Sequence, residues 1–253
     1  MIRKSVIVIG AGPAGLMAAI TAADAGYVVT VFESMPKPLR KLGISGKGRG
    51  NLTNTCSYDQ FLMHFNNRGR FLKTAFKKFF NTDLVAFLKK EGLETNEERG
   101  GRVFTASGHA TDAVNCLHKA ALKRGITIKT GTPVKELLVK DGVCTGVSTG
   151  SLKFYASRVI LATGGLSYPA TGSTGDGLKF AKALGHTIVK PLPSLCGLKP
   201  SEALPPYLEG VNPRNIGVQL FRKSLPRSAQ QLFVLRLFDR AAFVAFCVGK
   251  RGI

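Results

Sequence analysis

The sequence predicts an α/β fold built on a Rossmann-type parallel sheet, and three observations carry that expectation. Ser5–Ile9 is a β-branched run, as expected of a strand buried on both faces of a parallel sheet. An Ala-rich helix follows from about Pro13 to Ala25, stopped by Gly26, and Val28–Phe32 is a second buried strand. The turn between the first strand and the helix reads Gly10-x-Gly12-x-x-Gly15, which is weak alone but meaningful between a strand and a helix.

The later elements follow from changes of period. Gly43 to Asn54 has no periodicity and four glycines, so it reads as a loop. Phe71–Phe80 and Leu84–Lys90 carry apolar residues at helical spacing, with Asn81 or Thr82 as the cap between them. Thr111 to Arg124 is another helix, ended by Gly125. From Ile126 the period falls to two. Thr127–Lys129, Val134–Val139, Val143–Ser148 and Leu152–Ala156 read as short strands of a small meander, with turns at Asp141-Gly142 and Gly150-Ser151. Val159–Ala162 is a last buried strand, and a helix runs from about Asp176 to Leu184.

Six of the twelve prolines then fall between Pro191 and Pro213, which marks a boundary. The expected organisation is a nucleotide-binding domain over 1–190, the start of an inserted domain over 191–221, and an atypical tail over 222–253. That tail carries seven Lys or Arg against one acid.

Composition excludes several classes. An apolar fraction of 44% and a mean hydropathy of +0.09 exclude a disordered chain. The formal net charge of +21 suits polyanionic or phosphorylated partners, yet the basic residues are scattered rather than gathered in a tail. No RRM, OB or helix-turn-helix signature accompanies them, so no nucleic-acid partner is expected. Five cysteines without a CxxC pair support neither a zinc site nor a disulfide framework. No metal is expected. No apolar run approaches a membrane span and no cleavage site follows Val6–Ile9, so the chain is expected to be cytoplasmic, with no membrane partner.

The chemistry lies in the glycine-rich segments. Gly10 permits the tight turn, Gly12 lets backbone approach a pyrophosphate, and Gly15 allows close helix–strand packing. Pro13 and Ala14 open a helix whose free N–H groups favour phosphate. Glu33 ends the second strand 23 residues after Gly10, placed for a ribose, and it disfavours a 2′-phosphate; Ser34 follows it. FAD or NAD suits such a site better than NADP. A second basic loop holds Arg40, Lys41, Leu42, Ser45, Gly46, Gly48, Arg49, Asn51, Thr53 and Asn54, whose N–H groups and cations suit a pyrophosphate or a flavin. A third element, Ala162, Thr163, Gly164 and Gly165, ends the last buried strand at the same sheet edge.

Together, Val6–Glu33, Lys41–Asn54, Gly101–Asp112 and Val159–Leu195 resemble the BaiN/RdsA family of bacterial NAD(P)/FAD-dependent oxidoreductases. The resemblance implies a glutathione-reductase-like FAD domain interrupted by an inserted domain. It also implies FAD held by Gly10, Gly12, Gly15, Glu33, Lys41, the Ser45–Asn54 loop and Ala162–Gly165. The family includes a bile-acid 3-oxo-Δ4 reductase, so it implies reduction of an activated C=C in a small organic substrate. The family's name implies NAD(P)H as electron donor, but with only one dinucleotide fingerprint present any nicotinamide is expected to bind transiently elsewhere or not at all.

The chain departs from the family at Gly50, where relatives carry Cys, and at Thr105 and His109. The family pattern is expected to stop near Phe221, before the C-terminal segment that closes on the flavin in relatives. Two alternatives follow: a catalytically incomplete FAD-binding fragment, and an NAD-binding dehydrogenase. No catalytic residue is assigned. His109, Ser167 and Tyr168 are within reach of such a role but read first as loop and turn residues.

Overall fold

In the computed structural model, residues 4–65, 69–192, 217–222, 233–239 and 242–248 are described. The chain divides into two compact units, Met1–Val189 and Lys190–Ile253. In the first, β1 (Ser5–Ile9), α1 (Pro13–Asp24) and β2 (Val28–Phe32) form the expected unit, with Val8 and Val31 fully buried. α2 (Arg40–Gly43), β3 (Asn51–Asn54), α3 (Tyr58–Met63), α4 (Gly69–Lys78) and α5 (Asn81–Lys90) follow. Next come β4 (Thr95–Glu98), β5 (Arg102–Thr105), α6 (Ala110–Lys123) and β6 (Thr127–Lys129). The unit ends with β7 (Glu136–Lys140), β8 (Val143–Ser148), β9 (Lys153–Tyr155), β10 (Arg158–Leu161) and α7 (Asp176–Ala183).

The central sheet is parallel, in the order β10-β1-β2-β6. One face packs on α1 and α6, where Leu16, Ile20, Ala113, Leu117 and Ala121 join Val6, Val8, Val29 and Val31. The other face sets Ile7, Ile9 and Phe32 against Val147 and Phe154, beneath the antiparallel meander β7-β8-β9. Both faces are covered, which is why β1 reads as a continuous apolar run. This is a Rossmann-type α/β architecture.

Several expectations require correction. The segment read as an irregular loop over 43–54 contains a 3-10 turn at Ser45–Gly48 and the strand β3, which pairs with β5. Strand β3 is Asn-Leu-Thr-Asn and β4 is Thr-Asn-Glu-Glu, so neither offers the apolar alternation that reveals a strand. Neither Asn81 nor Thr82 caps α5. The Asp83 carboxylate accepts from the Phe80 N–H at 2.7 Å, while the Asn81 amide donates to the carbonyls of Asn54 and Cys56.

In the second unit, β11 (Gly217–Arg222), β12 (Phe233–Asp239) and β13 (Ala242–Val248) form an antiparallel meander. The tail expected to be atypical thus carries two strands, because apolar residues at nearly every position suit a strand yet hide its period of two. Most of the proline-rich segment, and Cys196 with it, lie outside the described residues.

Candidate nucleotide-binding site

A cleft opens beyond the carboxyl ends of β1, β2 and β10, on Ile9, Phe32 and Ala162. The strand order changes direction at β1, which has β2 on one side and the much later β10 on the other. Such a switch point leaves a crevice at the strand ends.

The three glycines of the first turn do different jobs. Gly10 has φ of 102°, and a Cβ there would lie 2.5 Å from the Ala162 carbonyl oxygen. A Cβ on Gly15 would overlap the Gly10 carbonyl oxygen. Both are required by the protein's own packing. Gly12 is not: its φ is −78°, and a Cβ there would meet nothing within 4 Å. That open space lies in the cleft, at the uncapped start of α1, where Pro13 takes the first position and no acid occupies the first turn. The helix therefore presents its N-terminal N–H groups and positive dipole end to the cleft.

Glu33 is 9% exposed and faces the same space. One of its oxygens accepts from the Ala11 N–H at 2.8 Å, and the other accepts from the Met35 N–H at 2.8 Å and from the Ser34 hydroxyl at 3.3 Å. A carboxylate has about four acceptor sites, so the group is held rigidly and keeps capacity for a ligand hydroxyl.

The opposite wall is the segment after β10. Gly164 packs so closely on Ser173 that a Cβ would lie 2.7 Å from its hydroxyl oxygen. Gly172, with φ of 100°, sits against Met35 and within reach of the Glu33 carboxylate. Asp176 opens α7 at the rim. Hydrogen bonds from Lys179 and Thr174 hold its carboxyl below the ordinary range.

Of the residues singled out in the sequence, Gly10, Gly12, Pro13, Ala14, Glu33, Ser34, Arg40, Lys41, Ala162, Thr163 and Gly164 line this cleft. Leu42, Ser45 and Asn51 instead line an adjoining, mostly apolar cavity that shares Pro13 and Lys41 with it. The Ser45 hydroxyl there is buried without a hydrogen-bond partner. Gly15, Gly46, Gly48, Arg49, Thr53, Asn54 and Gly165 line neither space. The Arg49 guanidinium lies 4.5 Å from the centre of the Phe104 ring and pairs with Glu98, so its charge is already engaged. Asn54 builds its own loop, donating to the Gly100 carbonyl and accepting from the Cys56 N–H.

Sequence reasoning left Lys37, Leu39, Pro133, Val134 and Phe180 out of the cleft, and took Thr171, Gly172 and Ser173 only as a glycine-punctuated loop. The glycine punctuation of 171–177 was the available signal for three of them; the others reach the cleft only through the fold. His109 precedes α6 without capping it through its side chain. The Tyr168 carbonyl accepts from Thr171, as a turn residue does, and its φ of 53° marks local strain. Among the described residues there is no cluster of metal-ligating side chains and no helix long and apolar enough to cross a membrane.

Comparison with known proteins identifies relatives of this chain. The chain is 30% identical over 83% of its length to the ribosomal RNA dihydrouridine synthase of Escherichia coli, covering 50% of that protein. It is 32% identical over 76% of its length to a 3-dehydro-bile acid delta(4,6)-reductase of Clostridium scindens, covering 46% of it. The chain thus spans about half the length of the curated relatives it matches. Two solved structures share the fold. Mycobacterium smegmatis Sdh1 in complex with UQ1 has a TM-score of 0.54 at 21% identity, over 72% of this chain and 38% of that one. The 3-ketosteroid-delta4-(5alpha)-dehydrogenase of Rhodococcus jostii has a TM-score of 0.52 at 17% identity, over 72% and 54%. The family described as HI0933-like protein Rossmann domain matches residues 4–235, so the pattern runs past Phe221, where the sequence resemblance was expected to end. With glycine turn, acidic strand end and parallel sheet in place, this chain belongs to the HI0933-like Rossmann-domain family.

Proposed function

We propose that this chain holds FAD and serves an FAD-dependent oxidoreductase that reduces a carbon–carbon double bond conjugated to a carbonyl in a small organic substrate, with electrons derived from NAD(P)H. The observation that carries the cofactor assignment is Gly12. Its ordinary backbone angle and empty surroundings mean that packing does not demand glycine, and beyond a helix N-cap preference it is a pyrophosphate passing over the start of α1 that does. Glu33, fixed by the Ala11 and Met35 N–H groups, accepts from the adenosine ribose. The Ala162–Gly164 backbone and the Thr171–Ser173 segment form the wall that shields the nucleotide from water. FAD, when bound, supplies the redox chemistry, and the protein positions it. An NAD-binding dehydrogenase would need the same first turn but gives no role to the Ser45 cavity beside it.

The names of two relatives support the substrate class. Dihydrouridine differs from uridine by saturation of a C=C conjugated to a carbonyl, and a 3-dehydro delta(4,6) substrate carries the same conjugation. A second reading, with an RNA base as that enone, is favoured by the ribosomal RNA synthases among the relatives. We place the activity in the cytoplasm. The test is Gly12→Val. It should yield folded but colourless protein, since the new side chain enters only the ligand's space. A folded Gly12→Val protein with full flavin content would overturn the assignment.

A further inference from the structure

We infer that Lys41 acts as the latch that closes the nucleotide cleft and does not serve as a phosphate ligand. This inference rests on the nucleotide-binding reading of the cleft. A lysine in a basic, glycine-rich loop beside a phosphate cradle invites the phosphate role, but its contacts in the fold point elsewhere. The Lys41 ammonium donates to the Ser167 carbonyl at 2.7 Å and to the Ser173 hydroxyl at 2.6 Å, with the Ser167 hydroxyl a further 3.4 Å acceptor. An ammonium has three donors, so these acceptors match its full capacity.

The partners lie 126 and 132 residues further along the chain, and the segment they belong to is the cleft's outer wall. Ser173 is 7% exposed and touches Gly164, so the hydroxyl that Lys41 grips is packed into that wall. One residue earlier, Gly172 lies against Met35 and close to the Glu33 carboxylate. Lys41 thereby sets how near the wall stands to the ribose acceptor. It also holds a segment whose Tyr168 adopts a strained backbone angle and is two-thirds exposed, which would otherwise relax outward. Lys41 is a positioning residue: it acts on the ligand through Ser167 and Ser173.

A latch and a phosphate ligand make different demands on ligand chemistry. If loss of the latch drops the closed fraction of the wall to about a tenth, every ligand behind it weakens about tenfold, whatever its charge. Loss of a phosphate ligand weakens only phosphorylated ligands. The test uses the full chain with ADP and adenosine as probes, in wild type, Lys41→Met, Ser173→Ala and the double variant, with Lys41→Arg as the conservative control. Lys41→Met should weaken both probes by the same factor, about tenfold. The double variant should be little worse than Lys41→Met alone, and Lys41→Arg should restore much of the loss. Amide exchange of the ligand-free protein gives an independent arm: Lys41→Met should lose protection over 164–175 while the β1 and β2 amides stay protected. Weakening of ADP with adenosine unchanged would overturn the latch, as would unchanged exchange over 164–175. If the wild type binds neither probe, the exchange arm alone decides the latch, and the cofactor reading stands or falls separately on titration with FAD.

Discussion

Replacing Glu33 by alanine has two separable consequences, and both sizes follow from its surroundings. The carboxylate, 9% exposed, accepts from the buried Ala11 N–H and the Met35 N–H, each at 2.8 Å. Glu33→Ala leaves the Ala11 donor without a partner, a desolvation cost of about 1–3 kcal/mol, while water reaches the Met35 N–H. For a unit of this size that corresponds to a melting temperature lower by about 2–4 °C per kcal/mol. Removal of the ribose contact costs a further charge-assisted bond, about 1.5–3 kcal/mol, so FAD should bind ten- to a hundredfold more weakly. Glu33→Gln is not conservative here. Both oxygens face N–H donors, so an amide nitrogen must oppose one of them. Flavin fluorescence titration reads the affinity and thermal melting reads the stability. A folded Glu33→Ala protein with unchanged FAD affinity would refute the ribose assignment.

Three further outcomes follow from the same geometry. Gly15→Ala should destabilise the ligand-free protein by about 1–3 kcal/mol in a melt, because its Cβ overlaps the Gly10 carbonyl, whereas Gly12→Ala meets no neighbour and should cost no more than the change of helix N-cap, about 1 kcal/mol or less. Arg124→Met should cost about 3–5 kcal/mol, since Arg124 bonds Asp24 and Glu91 at 2.7 Å each and the Glu91 carboxylate, 6% exposed, would remain buried without its cation; denaturant unfolding checks this. Asp176 titrates below its ordinary value because Lys179 and Thr174 favour its ionised form. Its contribution is present above the unfolded-state value, near 3.8, and is lost as pH falls through the lower folded-state value. The wild-type advantage over Asp176→Asn should therefore shrink on acidification, from no more than about 1 kcal/mol at neutral pH because the pair is exposed. A constant difference between pH 7 and 2 would contradict it.

The first βαβ unit and its cleft were legible because their signals are local. Val6–Ile9 is apolar at every position, Gly10, Gly12 and Gly15 fall within six residues where the strand gives way to the helix, and Glu33 follows Gly10 by 23 residues. The polar strands β3 and β4 were not legible: their stability comes from pairing with β5, whose Val103 and Phe104 are buried. The second loop illustrates the same limit. Lys41 and Arg49 look alike in sequence, as two cations among glycines, yet one grips Ser167 and Ser173 and the other pairs with Glu98 over Phe104. Partners separated by 49 to 132 residues leave no mark on a local pattern. Ser173 and Gly172 entered the cleft for that reason too, although the glycines around them already signalled a tight loop.

The measurement that bears most directly on the central claim is the visible spectrum of the purified protein, with the released cofactor identified after denaturation. The account expects flavin absorption bands and FAD as the released species, either as purified or after titration with FAD. A folded protein that stays colourless under FAD titration, or one that releases a nicotinamide dinucleotide instead, would contradict it.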